Sequence, residues 1–257
     1  MLLAVDVGNT QTHIGIWNGE ELAAQWRIST DARRTSDELA LVVQQFLHFE
    51  GLSFSAQVSG VVIASVVPTL TAAHREMVQQ YFHFNPVVVE MGTKTGMPIA
   101  TEYPREVGAD RIVNAVAAYS LVGGPAVVID FGTATTFDAV SEAGEYLGGA
   151  IAPGVQISVN ALASVAAQIQ KVELVQPRSV IGRSTVECVR SGVLLGAAAM
   201  VEGMVERMQK ELGGFASCVA TGGLAPLVLE QVSVPVRHEP SLTLRGLRII
   251  YERNASR

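Results

Sequence analysis

The stretch AVDVGNTQTHIGIW, residues 4–17, combines an apolar strand, a turn and a second apolar strand. This order predicts a β-hairpin with a Gly-Asn pair where the chain reverses. A hairpin with a purely structural role requires neither Asp6 at the end of an apolar strand nor the hydroxyls of Thr10 and Thr12. Two interpretations therefore stand at this point, a phosphate-binding turn and an ordinary hairpin.

The same pattern recurs near the middle of the chain, at residues 126–140, as AVVIDFGTATTFDAV. The two copies align at one offset of 124 positions, close to half of the 257 residues, through the pairs Asp6 and Asp130, Gly8 and Gly132, and Thr12 and Thr136. A repeat of half the chain length predicts two similar domains that face each other, each presenting one turn to a shared cleft. We place these domains at residues 1–118 and 119–257.

The composition and net charge of the chain limit the functional classes to which it can belong. A hydrophobic fraction of 49% and a charged fraction of 16% are typical of a globular protein. The net charge of −6 and the lack of a basic stripe argue against nucleic-acid or membrane-surface binding. The chain begins with a strand pattern rather than a leader pattern, so we expect a cytoplasmic protein. Cys188 and Cys218 are isolated and predict no disulfide, and the histidines show no metal-ligand spacing.

Hydrophobic periodicity predicts a duplicated α/β domain pair, each half starting with three antiparallel strands and continuing with alternating helices and strands. Strands are predicted over residues 2–8, 12–17, 22–28, 60–67, 86–91, 126–131, 135–140, 146–151 and 218–221. Helices are predicted over residues 36–47, 69–81, 106–122, 155–167 and 185–212, from 225 onward, and over 241–252. Ser36 and Ser241 are the predicted caps of their helices.

Two Asp-x-Gly turns at one cleft suit a nucleotide. Glycine lets the backbone approach phosphate oxygens, and successive N–H groups in such turns form an anion-binding nest. Thr10 and Thr133 add hydroxyl donors. Because carboxylates repel phosphate, Asp6 and Asp130 are better suited to hold hard cations. A third glycine-rich turn, ATGG at residues 220–223, would let a flat adenine lie against the backbone.

A second candidate motif is PREVGADR, residues 104–111. Acidic residues at a helix start often only favour the helix dipole, and an Arg beside an Asp is often a weak surface pair. The alternative is a substrate site next to the Gly108 backbone. Arg111 would then bind a substrate carboxylate, and Asp110 would accept a proton from a substrate hydroxyl.

Six motifs together carry a family resemblance: DVGNT at 6–10, PREVGADRIVNAVAAY at 104–119, DFGTATTFD at 130–138, GGAIAPG at 148–154, IGRSTVECVRSG at 181–192 and ATGGLA at 220–225. Over nearly the whole chain, the sequence resembles type III pantothenate kinases of the acetate kinase–sugar kinase–Hsp70–actin superfamily. The resemblance implies two actin-like, ribonuclease H-like domains, each a mixed sheet flanked by helices, with a cleft between them.

The resemblance also implies site residues. The first ATP-binding turn would comprise Asp6, Val7, Gly8, Asn9, Thr10, Gln11, Thr12 and His13. Thr133 would contact ATP, Gly222 and Gly223 would lie near adenosine, and Asp130 would bind a monovalent cation, K⁺ or NH₄⁺. Pantothenate would be bound by Gly108, Ala109, Asp110, Arg111 and, from the neighbouring subunit, Thr185, with Asp110 as proton acceptor. One departure is Thr101, which stands where the family usually has a tyrosine that contacts pantothenate.

The implied reaction is ATP-dependent phosphorylation of pantothenate to 4′-phosphopantothenate, the first step of coenzyme A biosynthesis, with Mg²⁺ on the phosphates. Two alternatives remain at this level: a related phosphotransferase acting on a sugar, acetate or polyphosphate, and a non-catalytic regulator that keeps the fold. The apolar helix predicted over 185–212 must be buried on more than one side, either wholly inside its own chain or partly against a second copy. The resemblance favours the second arrangement, a homodimer with a composite active site.

Overall fold

The structure, a computed structural model, describes residues 1–52, 57–165 and 172–255. Its strands are β1 (Leu2–Val7), β2 (Gln11–Asn18), β3 (Glu21–Ser29), β4 (Gly60–Ser65), β5 (Val87–Val88), β6 (Ala126–Phe131), β7 (Ala134–Val140), β8 (Tyr146–Pro153), β9 (Ser217–Thr221) and β10 (Arg237–His238). Its longer helices are α1 (Ser36–Phe49), α2 (Pro68–Phe82), α3 (Ala109–Val122), α4 (Val155–Val165), α5 (Thr185–Glu211), α6 (Ala225–Leu229) and α7 (Leu242–Ala255).

The chain divides into two units that each contain one five-stranded mixed sheet. The strand orders are β3-β2-β1-β4-β5 and β8-β7-β6-β9-β10, so the second sheet repeats the first with five later strands. In the first sheet β1 pairs antiparallel with β2 and parallel with β4. In the second sheet β6 pairs antiparallel with β7 and parallel with β9. The predicted duplicated α/β architecture is therefore confirmed.

The two central strands, β1 and β6, have the same burial pattern. Each is buried along nearly its whole length, except for the Asp near its carboxyl end. Continuous apolar runs of this kind are typical of strands covered on both faces. Each unit has its own core, formed in the first by residues such as Val5, Ile16 and Leu47 and in the second by residues such as Ile129 and Phe137.

The observed units differ from the predicted domain division at residues 99–101, at residue 118 and at residues 241–257. The first unit comprises Met1–Pro98, Glu102–Ala117 and Ser241–Arg257, and the second comprises Ile99–Thr101 and Ala118–Pro240. Helix α7 groups with the first unit because it packs on β1 and β4. Residues 99–101 group with the second because the Ala100 N–H donates to the Tyr146 carbonyl at 2.8 Å.

Several element ends also differ from prediction. Thr35, rather than Ser36, caps α1: its hydroxyl accepts from the Glu38 N–H while the Glu38 carboxylate accepts from the Thr35 N–H. Strand β5 covers only two of the six predicted residues, and α3 begins at Ala109 after a separate 3₁₀ turn, Pro104–Glu106. The predicted end of the helix at 166–167 lies outside the described residues.

Candidate active site

The first turn joins β1 to β2 and is held by its own backbone. The Gly8 N–H donates to the Gln11 carbonyl at 3.0 Å, and a Cβ at Gly8 would lie only 2.9 Å from that oxygen. Asn9, Thr10 and Gln11 are exposed at the tip, whereas the Thr12 side chain is buried below it. The turn therefore presents backbone and polar side chains to solvent on a rigid base, as an anion-binding nest requires.

His13 keeps the first turn free of positive charge at neutral pH. It is partly buried on β2, in register with Asp6 on one side and Arg27 on the other. Burial first, and the charge of Arg27 second, lower the pKa of His13 from 6.5 to about 4. The imidazole is therefore neutral at pH 7.

The second turn, between β6 and β7, is also closed by a backbone hydrogen bond, but one that spans a residue fewer than in the first turn. The Gly132 N–H donates to the Ala134 carbonyl at 3.0 Å, and Gly132 and Thr133 are exposed. Asp130 is partly buried and lies in register with Thr136 on β7 and Thr221 on β9. The Asp130 carboxylate therefore lies near the end of β6, two positions before the exposed Gly132.

The third turn lies beside the second because β9 is the parallel neighbour of β6. Gly222 has a φ of +97°, and a Cβ there would lie 2.6 Å from backbone atoms of Phe131. No other residue type fits this position without backbone movement. The second unit therefore brings Asp130, Thr133 and the Gly222–Gly223 pair to one edge of its sheet.

Asp110 lies in the first turn of α3. Its Oδ1 accepts from the Arg111 N–H at 2.9 Å and would lie 2.5 Å from a Cβ at Gly108. A side chain at position 108 would displace the carboxylate, which explains why glycine precedes it. Gly108, Ala109, Asp110 and Arg111 are all partly buried, so this corner of the first unit is neither core nor free surface.

Helix α7 fixes the helix that carries Asp110. The Thr243 hydroxyl donates to the Asn114 Oδ1 at 2.7 Å in a buried contact, and Gly246 packs so closely that a Cβ there would lie 2.1 Å from the Val113 carbonyl oxygen. A hydrogen bond and a direct backbone contact thus join the two helices. The consequence is a rigid base for Asp110.

Thr185 is the first residue of α5 and is exposed. The preceding Ser184 caps the helix by accepting from the Glu187 N–H. By length and composition α5 could cross a membrane, but Leu194, Ala198 and Val201 lie in the core of the second unit. These contacts account for one apolar side of the helix.

The carboxylates Asp6 and Asp130, near the first and second turns, are the groups that could bind a cation. Among residues 1–52, 57–165 and 172–255, no three His, Cys, Asp or Glu side chains cluster as a metal site. Asp130 is partly buried, and its Oδ1 would lie 3.6 Å from a Cβ at Gly132, close to the exposed turn. A lone carboxylate is an oxygen ligand of the kind that hard cations take, so Asp130 fits such an ion better than a zinc-type site.

The structure also adds contacts and burial that motif analysis did not predict. The Thr101 hydroxyl is buried and has no hydrogen-bond partner in the described part of the chain. Thr30 and Gly154, the residues that follow β3 and β8, contact the first and second turns. Thr30 and Gly154 are 124 positions apart, which is the offset of the sequence repeat. Extending the alignment of the two halves to these positions could have identified them from the sequence.

Known structures and sequences place this arrangement in a class. The Clostridium difficile activator of the 2-hydroxyisocaproyl-CoA dehydratase with bound ADPNP matches 99% of this chain and 96% of its own length, with a TM-score of 0.58 and 13% identity. A ROK hexokinase from Thermus thermophilus matches 99% and 98%, with a TM-score of 0.50 and 13% identity. These likenesses concern the fold alone. The fold is a duplicated actin-like architecture, with one mixed sheet flanked by helices in each unit.

Sequence similarity then identifies the family. The family model of type III pantothenate kinase matches residues 2–207. A type III pantothenate kinase of Moorella thermoacetica is 55% identical over 254 residues, covering 99% of this chain and 100% of that protein. One from Streptomyces griseus is 54% identical over 264 residues and covers both chains fully. This chain belongs to the type III pantothenate kinase family.

Proposed function

We propose that this protein transfers the γ-phosphoryl group of ATP to the primary hydroxyl of pantothenate, giving 4′-phosphopantothenate and ADP in the cytoplasm. The observation that carries the proposal is the GADR motif at the start of α3, where Gly108 leaves room for the Asp110 carboxylate. Membership of the family supports the same reaction. The rest of the proposal assigns a role to each turn.

ATP is bound by the three glycine turns. Residues 6–13 and Thr133 contact the phosphates, for which the exposed turn tips and their backbone N–H groups are suited. Gly222, which is partly buried, and Gly223, which is exposed, lie against the adenosine, because a glycine backbone accepts a flat ring closely. Because His13 is neutral, phosphate binding does not depend on the protonation of His13 near pH 7.

Pantothenate is bound by residues 108–111. The Arg111 guanidinium binds the pantothenate carboxylate, since its planar donors match two carboxylate oxygens. Asp110 orients the acceptor hydroxyl and takes its proton late, as phosphoryl transfer passes through a loose transition state in which the attacking oxygen is only weakly bonded. The carboxylate is held over Gly108, where one of its oxygens accepts from the Arg111 N–H.

Cations neutralise the phosphates. Asp130 would hold a monovalent cation, K⁺ or NH₄⁺, beside the second turn, and Mg²⁺ would bind with the ATP phosphates near Asp6. When bound, these cations supply charge neutralisation for the transferred group. The carboxylate oxygens of Asp130 suit a hard cation.

A second copy of the chain completes the site. One side of α5 lies in the core, but Cβ atoms added at Gly192 and Gly196 would meet nothing within 4 Å in the described structure. Val180 and Ile181, just before the helix, are 75% and 81% exposed. A homodimer that covers this open apolar face would place Thr185 at the pantothenate site of the partner.

A substrate panel tests the reaction. ADP formation is measured with pantothenate, glucose, acetate and polyphosphate as acceptors, each at equal concentration with Mg-ATP and K⁺. We expect turnover with pantothenate to exceed turnover with the other acceptors by at least two orders of magnitude. Preference for another acceptor would assign a related phosphotransferase, and binding of ATP without turnover on any acceptor would assign a regulator.

A further inference from the structure

The residue that follows the third strand of each unit contacts the phosphate turn of that unit. Thr30 follows β3 and Gly154 follows β8. They are 124 positions apart, the same offset that relates Gly8 to Gly132. The two units therefore keep this contact at equivalent positions, although the residue types differ.

Thr30 holds the first turn at three points. Its N–H donates to the Thr10 carbonyl at 3.0 Å, and its hydroxyl donates to the Gly8 carbonyl at 2.8 Å. The same hydroxyl lies 2.9 Å from the Thr12 hydroxyl. Since a hydroxyl has one proton, which Thr30 gives to Gly8, Thr12 is the donor in the second contact. Thr30 thus connects both strands of the hairpin to its tip.

Gly154 holds the second turn by direct backbone packing. A Cβ at this position would lie 2.1 Å from the Thr133 carbonyl oxygen and 2.8 Å from that of Gly132. Its own carbonyl accepts from the Ser158 N–H at 2.9 Å, in the first turn of α4. The Gly154 backbone is therefore fixed by the helix, and the turn rests against it.

We propose that Thr30 and Gly154 are positioning residues that set the shape of the two phosphate turns and so the affinity for ATP. The inference rests on the proposed role of these turns in ATP binding. A preorganised donor set binds phosphate without reorganisation at the moment of reaction, and small displacements of such donors are costly. Thr30 does this with a hydroxyl and Gly154 by having no side chain.

The test is direct titration of a non-hydrolysable ATP analogue with Mg²⁺ by calorimetry. Thr30→Val keeps the shape of the side chain but removes the hydroxyl, and we expect affinity to fall about tenfold. Thr30→Ser keeps the hydroxyl and should stay within about twofold of wild type. Thr71→Val is the matched control, because the Thr71 hydroxyl also donates to a backbone carbonyl, that of Val67, and neither residue belongs to the turn.

Gly154→Ala tests the second half of the proposal. The added methyl must displace Thr133, so we expect a fall in analogue affinity of about tenfold or more. Gly203→Ala is its control, because a Cβ there meets only the end of the flexible Arg207 side chain. In steady-state assays, Thr30→Val should raise KM for ATP and leave KM for pantothenate within about twofold.

The outcomes separate this inference from the proposed function. Titration with the ATP analogue needs no acceptor. A wild-type chain that binds ATP but leaves pantothenate unmodified would therefore refute the proposed reaction. The variants would still decide whether Thr30 and Gly154 set the affinity for ATP. Wild-type affinity in Thr30→Val, or equal losses in Thr71→Val, would overturn the role of Thr30. Wild-type affinity in Gly154→Ala would overturn the role of Gly154.

Discussion

His13 should make the stability of the first unit depend on pH. Its pKa is about 4 in the folded chain and 6.5 in the unfolded chain. Between these values the unfolded chain binds a proton that the folded chain does not, so acid favours unfolding. The stabilisation is fully present above pH 6.5 and is lost as the pH falls toward 4.

The size of the effect follows from the two pKa values. At pH 7.5 almost none of the stabilisation is lost, whereas at pH 5.0 linkage gives a loss of about 2 kcal/mol. His13→Gln removes this titration, while buried His74, whose pKa burial also lowers, is present in both proteins and cancels. Wild type should therefore lose about 2 kcal/mol more than His13→Gln between the two pH values.

Urea unfolding followed by tryptophan fluorescence is a suitable assay. The chain has two tryptophans, Trp17 and Trp26, and both lie on the hairpin strands of the first unit, so the signal reports the unit that contains His13. His48→Gln, which removes an exposed histidine of α1, is the control and should behave as wild type. An identical pH dependence for wild type and His13→Gln would refute the reasoning.

Three further predictions concern the second unit and its assembly. Gly222→Ala should lower the free energy of unfolding by about 3 kcal/mol, because the added methyl meets the Phe131 backbone. Gly213→Ala is the control: Gly213 has a φ of +95°, but a Cβ there meets nothing within 4 Å, so the loss should be about 1 kcal/mol. Equal losses measured by calorimetry would exclude the Phe131 contact as the cause. Rates in K⁺ or NH₄⁺ should exceed rates in Na⁺ or Li⁺ at constant ionic strength, and equal rates would argue against a site at Asp130. Mixed dimers of Asp110→Asn with Thr185→Arg should regain activity approaching half that of wild type, because one of their two sites is intact. Background activity after proven subunit exchange would place Thr185 outside the partner's site.

The hairpin turns were predictable because their signals are local. Asp6 and Gly8, and their counterparts 124 positions later, lie within a few residues of each other, and buried strands β1 and β6 are short continuous apolar runs. The long apolar helix α5 was also predictable to within one residue of its end. Local periodicity is sufficient for such elements.

The remaining features depend on contacts between distant segments. Thr30 lies on no motif, and only the folded hairpin brings its hydroxyl to the Gly8 carbonyl. The apolar pattern of residues 86–91 is long enough for a strand, but pairing with β4 extends over only Val87 and Val88. Likewise, nothing local in residues 241–257 indicates that α7 packs with the first unit. Pairing partners, not propensity, decide these cases.

The most direct test of the central claim is pantothenate-dependent ADP formation by wild type and by Asp110→Asn under saturating Mg-ATP and K⁺. Asn keeps the shape of the side chain and its place over Gly108, so folding and ATP affinity should be retained. We expect wild type to convert pantothenate to 4′-phosphopantothenate with one ADP per product, and turnover in Asp110→Asn to fall by about two orders of magnitude. Near-normal turnover in the folded variant, or wild-type ADP release that does not respond to pantothenate, would contradict the account.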